Sequence, residues 1–405
     1  MVELNNGQKE CLAKLVEWWN SKQEYQQVFS ISGPAGSGKT FLIRVLVDQI
    51  HGIKMSDVLF VAYVGKAALN LSKSGLNAST IHSAIYHPID VVKDRKDKDG
   101  NVIMEEGRPV QDVEVKFVLR TKLEKPYKLI VVDEAPMVDR KVAKDLLSFD
   151  LPIIALGDLN QLPPVMGEPF FLTDPDCILT EVIRQKADSP ILALSQHIIR
   201  SPYPRLNPGN YKNQLFIVKK KDFMNSYQHL LGVADAVICG RNSTRSDLNK
   251  LIRDIYFHSQ GITKISELAI GDKIICRKNN WDIQKEGIFL INGLIGHVTS
   301  IYYEDVTSKI IPIDFKPDFM DEPFEMIGLS KKFFYGTKIE KEWLKTHKHT
   351  GNLFEYGYAI TCHLSQGSQY DTVIVFVEHM GDMDFFRQWL YTAVTRASSK
   401  LILLV

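Results

Sequence analysis

The stretch SISGPAGSGKTFLIRVL, residues 30–46, leaves the chain few ways to fold. It reads as a buried strand, a glycine-rich turn and a helix with no spacer between them. GPAGSGKT fits G-x-x-x-x-G-K-[ST], with Gly33, Gly38, Lys39 and Thr40 at the fixed positions. The glycines let backbone N–H groups turn inward around an anion. The following helix points its positive end at the same place. Lys39 has the reach to meet terminal phosphates, and the Thr40 hydroxyl suits Mg²⁺. Gly33, Pro34, Ala35, Gly36, Ser37, Gly38, Lys39 and Thr40 together form the expected phosphate cradle.

Other segments extend the pattern. Short apolar runs at residues 28–32, 58–62, 129–132 and 153–156 are bounded by turn residues, and Leu42, Val45, Leu46 and Ile50 recur at helical spacing between two of them. Strands alternating with helices predict an α/β fold whose parallel sheet is covered on both faces. From about Glu181 a second α/β unit is expected, with strands at 236–239, 372–377 and 401–405 and helices at 244–256 and in FFRQWLYTAVTRA. Two stretches break the rhythm. Residues 86–127 contain the charged run KDRKDKDG and the weakly alternating VEVKFVLR, which suits a hairpin. Residues 298–355 mix β-formers, prolines and charges. The expected domains are 1–85 with 127–177, an inserted β module at 86–126, 178–297 with 356–405, and a second inserted module at 298–355.

Composition narrows the class. Lys plus Arg is 49 and Asp plus Glu is 48 in 405 residues, so a polyanion would be held by a local groove rather than a basic coat. The five cysteines are scattered, without paired metal spacing, as in a reducing compartment. No apolar run approaches the ~20 residues that span a bilayer, and the first residues, MVELNNGQKE, are polar. A soluble, cytoplasmic chain without a membrane partner is expected.

Two further strand ends carry acids and amides. LIVVDEAPM is an apolar strand ending in Asp133-Glu134. An acid there binds Mg²⁺ through water, and its neighbour orients or activates an attacking water. In LGDLNQLPPV, Gln161 suits a sensor of the γ-phosphate and equally a turn residue before Pro163-Pro164.

GPAGSGKT, STIH, VVDEAPM, GDLNQLPPV, LTEVIRQ, TCHLSQGSQYDTVIV and YTAVTRA, in that order, resemble the motifs of superfamily-one helicases, most closely the RecD-like and phage Dda-like branch. The resemblance runs from Gln8 to Ala397. It implies two RecA-like parallel-sheet domains forming an ATP cleft, each with a small β-rich insertion. It implies Gln8 for adenine, Gly367 for the nucleotide, Lys39 and Thr40 for phosphate and Mg²⁺, Asp133 and Glu134 for Mg²⁺ and water, and Gln161 for the γ-phosphate. Arg184 and Arg396 become arginine fingers from the second domain. Tyr63, Lys66, Thr80, His82, Thr361, His363 and Ser365 become contacts to DNA. Tyr63, Tyr86 and Trp281 suit base stacking, and each suits core packing too. Val64 and Leu364 depart from the family pattern, which has a hydroxyl and a lysine there. The 86–127 stretch takes the place of a strand-separating pin, and 298–355 that of an SH3-like insert. The implied activity is ATP-driven 5′ to 3′ movement on single-stranded DNA with unwinding at single/double-strand junctions, by a monomer serving replication, recombination or repair proteins. Two other classes fit parts of the pattern. A P-loop kinase needs only one α/β unit, and a nucleotide-switched clamp or loader needs only slow hydrolysis.

Overall fold

The computed structural model describes residues 4–34, 36–94, 102, 104–105, 108–109, 111–163, 170–181, 189–262, 267–286, 288–302, 307–347 and 349–405. Ala35, Arg184 and the tract 95–100 lie outside the described residues, as does the side chain of Trp281. The chain divides into two compact units. The first comprises residues 1–84, 122–264 and 358–405, and the second comprises 85–121 and 265–357.

The first unit contains two six-stranded sheets. In one, helix α1 (Asn6–Tyr25) precedes β1 (Val28–Ser32), and α2 (Lys39–Gln49) follows it. Then come β2 (Val58–Ala62), α3 (Gly65–Lys73), β3 (Ala78–Thr80), β4 (Leu129–Asp133), α4 (Arg140–Leu147), β5 (Ile153–Gly157) and β6 (Cys177–Ile178). Strand order is β6-β1-β5-β4-β2-β3, and every pairing is parallel. The period of two explains the layering. Phe29, Ile31, Val58, Phe60, Leu129, Val131, Ile154 and Leu156 meet Leu12, Leu15, Leu42 and Leu46 of α1 and α2 in one cluster. The alternate residues Leu59, Val61, Ile130 and Val132 are buried too, so both faces are covered. Each such side chain stabilises the fold by about 1.5–3 kcal/mol relative to exposure.

The second sheet is built from β7 (Gly209–Tyr211), β8 (Leu215–Val218), β9 (Ala236–Cys239), β10 (Ala359–Thr361), β11 (Tyr370–Phe376) and β12 (Ala397–Leu404). Its order is β7-β8-β12-β11-β9-β10. The pairings are parallel except at the edge, where β7 runs antiparallel to β8. Helices α5 (Pro190–Arg200), α6 (Asn242–Ser259) and α7 (Met383–Val394) accompany it.

The second unit is all-β apart from short helices. Tyr86–Asp94 and Gln111–Leu119 form an antiparallel ribbon in continuous register from Tyr86↔Leu119 to Asp94↔Gln111. Its Ile89, Val92, Phe117 and Val118 are exposed, while Tyr86 is buried. A five-stranded sheet packs Phe315, Phe324, Phe354 and their neighbours into a separate core. The longer stretch of this unit runs over residues 265–357, against the expected 298–355. The reason is Lys273–Cys276, which pairs with both Ile295–Ile301 and Phe354–Tyr356 and so sits inside the sheet.

Phe60 has no accessible surface at the centre of the first sheet. Phe60→Ala should lower stability by about 3–5 kcal/mol, read as a fall in the urea midpoint at unchanged slope.

Candidate active site and strand interface

The register of the first sheet sets the site. Ser32 pairs with Gly157 and Ala62 with Asp133, so the chain leaves β1, β2, β4 and β5 at one edge. Ligands of parallel sheets bind at that carboxyl edge. The loops are tied there: Gly33 N donates to Gly157 O at 2.9 Å, and Leu159 N to Ser32 Oγ at 3.3 Å.

Gly36 and Gly38 take φ of 82° and 86°, the left-handed region that strains any residue with a Cβ. Helix α2 begins at Lys39 without a side-chain cap, which leaves its first N–H groups for a ligand. Lys39 Nζ lies within the loop, donating to Gly33 O at 2.6 Å and Pro34 O at 3.1 Å. Gln8 braces the loop from α1. Its Nε2 donates to Ser37 O at 3.0 Å, and its Oε1 accepts from Asn5 N at 3.1 Å. Burial of that amide explains why a lone glutamine ahead of the first strand matters locally.

Asp133 and Glu134 follow at the end of β4. Both keep some accessible surface yet sit deep among protein atoms. Burial pushes the Asp133 carboxyl up, against the pull of Lys39. Burial and then the neighbouring Asp133 raise Glu134 to about 7, while Arg396 and Lys39 act in the opposite direction. Glu134 has φ 50° and ψ 41°, a left-handed conformation that costs an ordinary residue about 1–2 kcal/mol. Arg396 arrives from the second sheet, 3% exposed. Its guanidinium donates to Thr392 O and Ser368 O, each at 3.0 Å, and to Thr395 Oγ1 at 3.2 Å.

These residues fit a nucleoside triphosphate with a divalent cation. Ser37 Oγ and Gln161 Oε1 are buried without a hydrogen-bond partner. The paired carboxylates are short of positive charge. Among the described residues no three His, Cys, Asp or Glu side chains gather as metal ligands.

The residues expected on DNA fall into two groups and one exception. Tyr63 and His82 meet edge to face, ring centroids 5.8 Å apart, beyond β2 and β3. Thr80 is buried, and its hydroxyl lies 3.0 Å from Ser83 Oγ while accepting from Ser83 N at 3.2 Å. In the second half Thr361 is buried at the end of β10, and Ser365 is fully enclosed with its hydroxyl on Cys362 O at 2.7 Å. His363 packs against Phe385, and burial lowers both it and His82, which favours the neutral ring. Lys66 is the exception. Its Nζ lies 4.5 Å over the Tyr370 ring and 3.2 Å from the Tyr370 hydroxyl, bridging the two halves. Beside it Asn70 Nδ2 donates to Gly367 O at 2.9 Å, so Gly367 meets α3.

Sequence reasoning missed Asp158, Gln366, Tyr391 and Thr392, which join the loop after β5 to the second half. The available signal was polarity out of place, a Tyr-Thr pair inside the apolar helix stretch WLYTAV.

The sequence matches the family profile described as an AAA domain over residues 3–207, and that of a UvrD-like helicase C-terminal domain over residues 356–404. It is 25% identical to the ATP-dependent DNA helicase dda of Enterobacteria phage T4 over 97% of each chain. It is also 25% identical to the ATP-dependent RecD2 DNA helicase of Deinococcus radiodurans, across 91% of this chain and 46% of that protein. A solved Pif1 helicase structure, on unwinding at forked double-stranded DNA by two coordinating copies, covers all of this chain and is itself 92% covered, with a TM-score of 0.56 at 18% identity. That likeness identifies the two α/β halves as RecA-like domains.

Glu134→Gly should relieve the left-handed strain and leave stability equal or up to about 1 kcal/mol higher. Nucleotide hydrolysis should fall at least a hundredfold in the same protein, and a paired melting and turnover assay checks both.

Proposed function

Because the chain belongs to the AAA-domain family, within the RecD-like and Dda-like branch of superfamily-one helicases, we propose that it is an ATP-driven motor that moves 5′ to 3′ on single-stranded DNA and separates duplex DNA. The observation that carries this is the composite site. Lys39, Asp133 and Glu134 belong to the first half, and Arg396 from the second acts electrostatically on the same Glu134 carboxylate. An ATPase whose charge is completed by a second domain has hydrolysis tied to domain closure.

The chain's own groups divide the work. The backbone N–H groups of the Gly33–Thr40 loop and Lys39 Nζ hold phosphate oxygens, and the α2 amino end adds its dipole. Gln8 faces the loop from α1 on the side assigned to adenine. Mg²⁺ on Thr40 and Asp133 would neutralise charge on the terminal phosphates. Glu134 takes a proton from the attacking water, and its raised affinity for protons suits a base. Gln161 and Arg396 face the terminal phosphate from opposite halves, and Arg184 is a second arginine assigned to that role.

DNA would cross the ends of β2 and β3 at Tyr63, Thr80 and His82, and the end of β10 at Thr361 and His363. Neutral imidazoles and hydroxyls there suit contacts that ignore base sequence. Lys66, held on Tyr370, links the strand path to the second half. The exposed Tyr86–Asp94/Gln111–Leu119 ribbon has the shape of a separating pin. The balanced net charge of +1 leaves binding to this local track.

ATP turnover should rise strongly with single-stranded DNA and vanish in Lys39→Ala, and tailed duplexes then report direction. Turnover indifferent to DNA would overturn the motor. Arg396→Ala should bind ATP nearly as before and hydrolyse it about 10³-fold more slowly, separated by equilibrium binding and single-turnover assays.

A further inference from the structure

The loop after β5 and helix α7 meet through groups that no role above covers. The Tyr391 hydroxyl donates to Asp158 Oδ2 at 2.6 Å, and both residues are only 1% exposed. The other oxygen, Asp158 Oδ1, accepts from Asn160 N at 3.0 Å and from Asn160 Nδ2 at 3.1 Å. One residue along α7, Thr392 Oγ1 accepts from Leu162 N at 2.9 Å. Leu162 O then accepts from Gln366 Nε2 at 3.1 Å. Elements of the second sheet thus grip the 158–162 loop at both ends, with Gln161 between them. The carbonyl of Thr392 also holds Arg396 Nε at 3.0 Å. The loop that carries Gln161 and the arginine opposite it share one anchor.

Within this loop Asp158, Gln161 and Leu162 are buried, while Leu159 and Asn160 are not. A cavity of about 340 Å³ lies against Leu159 and Asn160, lined also by Ile198, Arg387, Gln388 and Tyr391. A segment with open space on one side loses dispersion contacts there and depends on its hydrogen bonds. Burial and then the adjacent Asp158 raise the Tyr391 hydroxyl, so it stays a donor. A neutral donor on a buried carboxylate makes one of the stronger protein hydrogen bonds.

We propose that Tyr391 is a positioning residue for ATP hydrolysis: through Asp158 it fixes the loop carrying Gln161 in register with Arg396, so that both groups reach the terminal phosphate together. The proposal rests on the motor reading above and adds a residue to it. A bond serving stability alone would lower the melting temperature without touching the turnover of bound nucleotide.

The test is a double-mutant cycle on Tyr391→Phe and Asp158→Asn, with hydrolysis at saturating single-stranded DNA, KM for ATP, nucleotide affinity and melting temperature for each protein. Expected is a fall in kcat of about ten- to a hundredfold in each single variant, with KM and nucleotide affinity within about threefold and the double variant no worse than the poorer single. Unchanged kcat in Tyr391→Phe would overturn the proposal, as would losses that multiply or a rise in KM at constant kcat. Should Asp158→Asn fail to fold, Tyr391→Phe decides alone, since it removes one oxygen atom. A wild-type protein without DNA stimulation would instead overturn the motor reading, and the same comparison is then made on basal hydrolysis.

Discussion

The parallel register of the first sheet is the constraint on which the rest depends. Ser32 opposite Gly157 and Ala62 opposite Asp133 bring several strand ends to one edge. A one-residue slip would exchange the two buried faces, and the register is held by the fit of particular side chains, with Phe29, Ile31, Phe60 and Val131 packed in the cluster with α1 and α2 and Leu59, Val61, Ile130 and Val132 on the other face. The core therefore fixes where Lys39, Asp133 and Asp158 emerge. Chemistry at the edge is a consequence of packing in the middle.

That edge is electrostatically incomplete. Burial raises both neighbouring carboxyls and Asp133 further raises Glu134, while Lys39 from the first half acts against both shifts and Arg396 from the second half against that of Glu134. The strain stored at Glu134, with its φ of 50°, is tolerated where strand, short turn and proline over-determine the backbone.

Much of this was legible in advance. The β-strands at 28–32, 58–62 and 236–239 follow from apolar runs of the right length between turn residues, and the structure has them with the same bounds. The phosphate loop was legible because its geometry is local, set by glycines, a lysine and a helix start within eight consecutive residues. The place of Lys273–Cys276 inside the five-stranded sheet was not, because it looks like any short apolar strand until its partners at 295–301 and 354–356 are known. The antiparallel edge strand Gly209–Tyr211 has no apolar pattern and exists through its pairing with Leu215–Val218.

The sequence by itself determined the α/β class, the phosphate cradle and the order of the motifs, since each depends on neighbours along the chain. Only the tertiary structure decided how distant residues share work. Lys66 sits over the Tyr370 ring, Gln8 braces the Ser37 carbonyl, and Tyr391 donates to Asp158 across 233 residues of sequence. No local preference encodes such pairs. The Lys66–Tyr370 and Tyr391–Asp158 pairs form where the two halves leave polar groups facing each other, and the Gln8–Ser37 pair where α1 packs beside the loop after β1. There an unpaired donor or acceptor costs more than the order needed to pair it.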